Sequence, residues 1–231
     1  MRSKRCSSER SVYSHRPVSD ATFPVGFFDR ADPETDAAFY RVPRIVTHID
    51  DGAIEAVGAL YEELAIGVAG DGEVLDLMSS WISHFRRPPR RLTVLGMNAA
   101  ELARNPAAAS AVVHDLNADP QLPFADGSFD AAVCCVSVDY LVRPIEVFRD
   151  LARVLRPGAP FVCTFSNRCF PSKAIRGWLY ASDAEHGEIV AEYFRLAGGW
   201  EEPVVARRTP PEHRGDPLWA VWAHVVRLPG S

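Results

Sequence analysis

The sequence predicts an α/β fold: a doubly wound, mostly parallel sheet of seven strands with an antiparallel edge strand. Three observations predict it. From residue 23 onward, short apolar runs alternate with stretches of helical periodicity, the pattern of repeated strand–helix crossovers. Residues 129–138 are nearly all apolar, as a strand buried on both faces of a parallel sheet requires. The last two strand-like runs, 204–208 and 218–226, have no long helix between them, so they pair antiparallel at one edge.

Each element has its own signal. Ile54, Val57, Leu60, Tyr61 and Leu64 recur at helical spacing, so 51–65 is an amphipathic helix that Asp50 or Asp51 can cap. Gly70, Asp71 and Gly72 form a turn into the first strand, 73–77. The second strand, 92–96, leads to a helix from Asn98 that stops before Pro106, and the third strand is 111–115. After the fourth strand, 129–138, Pro144 opens a helix with Ile145, Phe148, Leu151 and Leu155 on one face, and Pro157 with Gly158 closes it. The fifth strand is 160–165. Helical stretches around 173–178 and 188–197 separate it from the final pair.

Composition bounds the rest. A chain of 231 residues, 47% hydrophobic and 24% charged, buries about 70% of its unfolded surface without a disulfide or metal staple. Its longest apolar stretch, 131–141, contains Asp139 and is too short to cross a bilayer. A net charge of −5 speaks against a nucleic-acid partner, and oligomeric state leaves no mark in the sequence. The five cysteines include no C-x-x-C pair, and Cys134, Cys135 and Cys163 sit in apolar runs as small hydrophobes. No metal site is expected, and a reducing, cytoplasmic compartment is. Residues 1–22 read as a disordered tail, and 23–231 as a single domain. The Ser- and Arg-rich composition of that tail also fits an organelle transit peptide.

In such a sheet, ligands sit outside the carboxyl ends of the strands. Those ends carry Asp76 with Met78, Ser79, Ser80 and Trp81, then Met97 and Asn98, then Asp115, Leu116 and Asn117, then Ser137, Asp139 and Tyr140. Hydrogen-bonding side chains at successive strand ends are harder to dismiss than one alone.

Two segments are more specific. LPFADGSFD at 122–130 precedes the buried strand, and FRDLARVLRPG at 148–158 follows it. In these the chain resembles the class I S-adenosylmethionine-dependent methyltransferases of the type 11 kind, over about 73–167 and more weakly to 226. SSWISH at 79–84, GMN at 96–98 and FSNRCF at 165–170 are similar to a narrower group of methyltransferase-like proteins from bacteria and plastids. The resemblance implies a Rossmann-like methyltransferase fold and S-adenosyl-L-methionine as cofactor. Asp76 then matches the acid near the methionyl amine. Asn98, with Met97 beside it, matches the ribose position, and Asp115 the adenine position, with the Leu116 amide beside it. Met78, Ser79 and Ser80 replace the glycine-rich turn, and Ser137 faces the sulfonium and the acceptor. Asp139 and Tyr140 stand where a general base sits. Arg44, His48, His84, Asn167 and Arg168 are candidate acceptor contacts, the first two as part of an N-terminal lid.

Plainer readings compete. Asn98 with Glu101 has the spacing of a capping box, and Asp115 to Asn117 that of an Asx turn. Trp81 is core or lid, His84 a structural histidine, and Asp139 an acid before the Pro144 helix. The expected activity is methyl transfer to an O, N or C nucleophile of a small molecule, which needs alignment more than a dedicated base. The alternative is a non-catalytic module with a degenerate cofactor site, motivated by the glycine-free turn and by an amide where the family has an acid. A nicotinamide-dependent reductase is disfavoured, because no G-x-G-x-x-G follows a strand.

Overall fold

The computed structural model describes residues 4–5, 23–68, 70 and 72–227. The expected tail, apart from 4–5, and Asp71 of the predicted turn lie outside the described residues. The elements in chain order are β1 (Lys4–Arg5), α1 (Asp36–Phe39), α2 (Asp51–Glu63), β2 (Glu73–Leu77), β3 (Arg91–Gly96), α3 (Ala99–Leu102), β4 (Ala108–Val113), β5 (Ala131–Cys135), α4 (Pro144–Val154), β6 (Pro160–Phe165), β7 (Arg168–Cys169), α5 (Arg176–Leu179), α6 (Asp183–Ala197), β8 (Val204–Arg207) and β9 (Trp219–His224).

Seven strands form one sheet in the order β4-β3-β2-β5-β6-β9-β8. The five strands from β4 to β6 run parallel. The final pair stands at the edge as predicted, and β9 is the reversed strand, antiparallel to both β6 and β8. β1 and β7 form a separate two-stranded antiparallel ladder.

The boundaries shift for identifiable reasons. The fourth strand of the sheet is shorter than its apolar run, because Val136 takes a left-handed backbone (φ 46°) and Val138–Tyr140 coil into a 3-10 turn. α3 is a single turn. α6 begins five residues before its predicted start, because Ser182 and Glu185 make a reciprocal capping box that the apolar periodicity alone does not reveal. Asp50 caps α2 through Ala53 N, and Pro144 opens α4.

Apolar side chains fill both faces of the sheet. Phe148, Leu151, Tyr193 and Phe194 from α4 and α6 pack on Phe161 and Leu75, all fully buried. On the other face Val57, Leu60 and Tyr61 from α2 meet Val74, Leu92, Val94 and Trp222. Each such burial contributes about 1.5–3 kcal/mol. Cys134 and Cys163 are register partners across β5 and β6, buried as thiols in the role expected of them.

The segment before α2 is fastened by a buried ionic cluster. Lys173 is fully buried and donates to Glu34 O at 2.6 Å, with Asp32 Oδ2 at 3.1 Å and Asp36 Oδ1 at 3.5 Å. Arg30 Nη1 donates to both Asp36 oxygens, at 2.7 and 2.9 Å. Asn117, just beyond β4, donates to Asp36 Oδ2 at 2.7 Å. A chain with only two lysines spends one of them here.

Candidate functional site

The order of the strands reverses at β2, between β3 and β5, and this is where an open α/β sheet forms its crevice. One cleft lies outside the carboxyl ends of β2, β3, β4 and β5. Its lining includes Asp76, Met78, Ser79, Ser80, Met97, Asn98, Asp115, Leu116 and Ser137 from those loops. Arg44, His48, His84, Tyr140 and Arg168 line it too. Asp139 and Asn167 are not part of the lining; Asp139 is 2% exposed, and its carbonyl accepts from Ile175 N at 2.9 Å.

Asp76, the penultimate residue of β2, lies in the buried interior, 3% exposed. Ser79 Oγ donates to its Oδ2 at 2.6 Å, Ser83 adds a second hydroxyl, and Asn105 Nδ2 holds Ser83 Oγ at 2.7 Å. Burial outweighs both hydroxyls and pushes the carboxyl up to about 6. Among the described residues no cation contributes to its environment.

The first turn keeps a glycine-like backbone without the glycine. Met78 adopts φ 55°, a left-handed conformation that costs a residue with a Cβ about 1–2 kcal/mol. The close approach is supplied by the neighbouring strand instead. Ser79 N donates to Leu95 O at 2.7 Å, and a Cβ on Gly96 would meet Ser79 O at 2.2 Å. Gly96 therefore does for the turn what a glycine within it would do.

At the end of β3, Asn98 Oδ1 accepts from Ala100 N and Glu101 N at 3.0 and 3.2 Å, so it is the N-cap of α3. Its Nδ2 donates to Tyr40 O at 2.8 Å and to Arg41 O at 3.4 Å. The capping box is only half formed, because Glu101 turns into the cleft. Its Oε1 accepts from Arg44 N at 2.7 Å and its Oε2 from Ser80 Oγ at 2.6 Å. After β4, Asp115 Oδ1 accepts from Asn117 N and Ala118 N, an Asx turn. Asn117 Nδ2 also donates to Tyr140 O, and its Oδ1 accepts from Val142 N. Ser137 Oγ donates to Cys135 O at 3.0 Å.

Part of the lining is aromatic, from Tyr40, His48, Tyr140 and Phe170, with Phe39 in ring contact with Tyr40 and Phe170. Phe39, Tyr40, His48, Tyr140 and Phe170 contact one another edge-on or tilted. Arg44 Cζ lies 4.3 Å from the Phe39 ring centre and 5.5 Å from that of Phe170. Tyr140 Oη accepts from Phe170 N at 2.9 Å, and burial pushes its hydroxyl well above the usual phenol range. His48 and His84 are both held below the ordinary imidazole range by burial. His84 falls to about 4, with His48 nearby adding to the shift. Both are neutral at pH 7. His84 Nδ1 is buried without a hydrogen-bond partner. Arg168 is aimed by Asp216, which accepts from its Nε at 2.8 Å. Trp81, weighed as core or lid, lines the cleft and donates from Nε1 to Val46 O at 3.1 Å.

Asp36, Tyr40, Glu101 and Phe170 also line the cleft without having been singled out from sequence. Glu101 had a signal, its spacing from Asn98, but that spacing pointed to a cap. Asp36 and Tyr40 lie far upstream of the strand ends, and only the fold brings them in. Among the described residues no group of three or more His, Cys, Asp or Glu is set to hold a metal ion, and no helix is long and apolar enough to cross a membrane.

Residues 69–163 match the family described as "Methyltransferase domain". Among solved structures, the chain is similar to the [4+2]-cyclase SpnF at 15% identity and TM-score 0.54, covering 82% of this chain and 91% of that one. It is similar to a Thermotoga maritima S-adenosylmethionine-dependent methyltransferase at 14% identity and TM-score 0.51, covering 75% and 88%. No curated protein matches the sequence.

Proposed function

We propose that this protein is an S-adenosyl-L-methionine-dependent methyltransferase acting on a small-molecule acceptor. The observation that carries the reading is Asp76: a buried carboxylate in the cleft, satisfied by hydroxyls and lacking a cation. A cationic amine is the ligand group that relieves such a site, and the methionyl end of the cofactor carries one. That buried, cation-free acid fits the cofactor.

Met78, Ser79 and Ser80 would lie along the methionyl group, Met97 and Asn98 at the sugar, Asp115 and Leu116 at the base, and Ser137 toward the acceptor. The bound cofactor supplies an activated methyl group, and the protein's work is alignment and exclusion of water. His48, His84 and Arg168 face the acceptor side of the cleft. The neutral imidazoles can accept a hydrogen bond from an O–H or N–H acceptor. Tyr140, whose hydroxyl is held by Phe170 N, acts as wall rather than acid or base. Titration calorimetry with S-adenosylhomocysteine tests the reading: micromolar binding is expected, and silence at millimolar ligand overturns it.

A second reading, a binding module without methyl transfer, is favoured by the strained Met78 turn and by the commitment of all Asn98 polar atoms to protein partners. The similar structure named as a [4+2]-cyclase is an instance of this fold under another activity. Incubation with methyl-labelled cofactor and a metabolite extract separates the two, since a module binds without transferring label.

A further inference from the structure

Residues 40–48 cross the cleft between two fixed points. On one side Asp36 is held by Arg30, Lys173 and Asn117. On the other, Asp50 and Asp216 exchange backbone-to-carboxylate hydrogen bonds at 3.1 and 2.6 Å. Between α1 and α2 the chain has no regular structure, and Arg41, Val42, Pro43, Val46 and Thr47 are exposed. This strap rests on the cleft through Tyr40 O on Asn98, Val46 O on Trp81, Arg44 N on Glu101, and the Arg44 guanidinium against Phe39 and Phe170.

We infer that Glu101 is a ligand-binding carboxylate of this cleft, that its group is a vicinal diol such as a ribose, and that the Arg44 N–H of the strap holds its place at rest. The inference rests on the nucleoside reading above and reassigns the sugar contact from Asn98. The carboxylate is 8% exposed and accepts from one hydroxyl and one N–H, both neutral. A diol presents two neutral donors of the same reach, so it can take the Arg44 position without leaving the buried charge bare. Asn98 is less suited, because Oδ1 caps α3 and Nδ2 is donated to the strap. Diol binding at Glu101 therefore requires the strap to lift at Arg44, while Asp36 and Asp50 keep its ends in place.

The test pairs calorimetry with amide hydrogen exchange of the full chain, using S-adenosylhomocysteine as the probe. Binding should speed exchange in the peptide containing Arg44 and leave the peptide containing Asp36 unchanged. Glu101→Gln should weaken binding about tenfold, the loss of one charge-assisted hydrogen bond. Arg44→Ala removes the stacked guanidinium and should tighten binding about threefold while loosening the strap in the free protein. If the probe binds but exchange near Arg44 does not change and Glu101→Gln binds within about twofold of the wild type, the inference fails and the cofactor reading stands. If the wild type does not bind the probe at all, the cofactor reading fails and takes this inference with it.

Discussion

Two buried carboxylates line the cleft, and they are provided for differently. Asp36 has Arg30 and Lys173 within ion-pair distance and an amide from Asn117 besides. Asp76, buried as deeply, has serine hydroxyls and, among the described residues, no cation, and its carboxyl is pushed up to about 6. Removing a charge from water is costly in either place. Where the charge serves the fold, the chain supplies the counter-charge itself. Where it is left without one, the folded protein carries a cost that a cationic ligand can remove. The first arrangement reads as a clasp and the second as a binding site.

The largest expected effect attacks the clasp. Asp36→Ala leaves Arg30 and Lys173 without their shared carboxylate and should cost about 3–5 kcal/mol in denaturant unfolding. It should also free the 23–50 segment to early proteolysis. A loss below about 1 kcal/mol would mean that the cluster is decoration.

The second sharpens the comparison by reversing the sign. A carboxyl held near 6 in the folded chain, against an ordinary value of 3.8, binds its proton more tightly folded than unfolded. Stability therefore falls as pH rises from about 4 to about 6 and stays level above, with a cost near 3 kcal/mol at pH 7. Asp76→Asn should recover about 1–3 kcal/mol of this at pH 7, flatten that pH dependence, and weaken S-adenosylhomocysteine binding about 100-fold. Thermal melts from pH 4 to 8 and calorimetry check it. A variant that is less stable at pH 7 and still binds would erase the distinction between the two acids.

The third and fourth concern the turn next to Asp76. Gly96→Ala drives a Cβ into Ser79 O and should cost about 2 kcal/mol, with weaker ligand binding as Ser79 moves. The smallest effect is that of Met78→Gly. Met78→Gly exchanges backbone strain for lost packing and should change stability by less than about 1 kcal/mol. Met78→Val, β-branched at positive φ, should cost about 2 kcal/mol.

Much of this was legible beforehand, and the limits are physical. Strand–helix alternation and the apolar run around β5 gave the layered sheet, because burial on both faces leaves a pattern readable without coordinates. The polar residues at the strand ends were legible for the same reason, since every parallel strand delivers its last residue to one rim. Partnership was not. Asn98 has the sequence signature of a cap and is one, but nothing local says that its amide also carries the strap. Glu101 had the spacing of a capping partner and faces the cleft instead. Asp139 follows a strand as a general base would, yet the chain coils at Val138–Tyr140 and turns it away from the lining.

The sequence by itself determined the fold class, the rim on which polar groups gather, and the residue types present there, because periodicity and strand ends are local properties of the chain. The tertiary structure alone decided which charges are answered. Lys173 meets Asp36 across a long separation in the chain, whereas Glu101 is met across a similar one only by the neutral backbone N–H of Arg44. Coulomb and desolvation energies depend on distance and burial, and neither quantity exists until the sheet has brought these segments together.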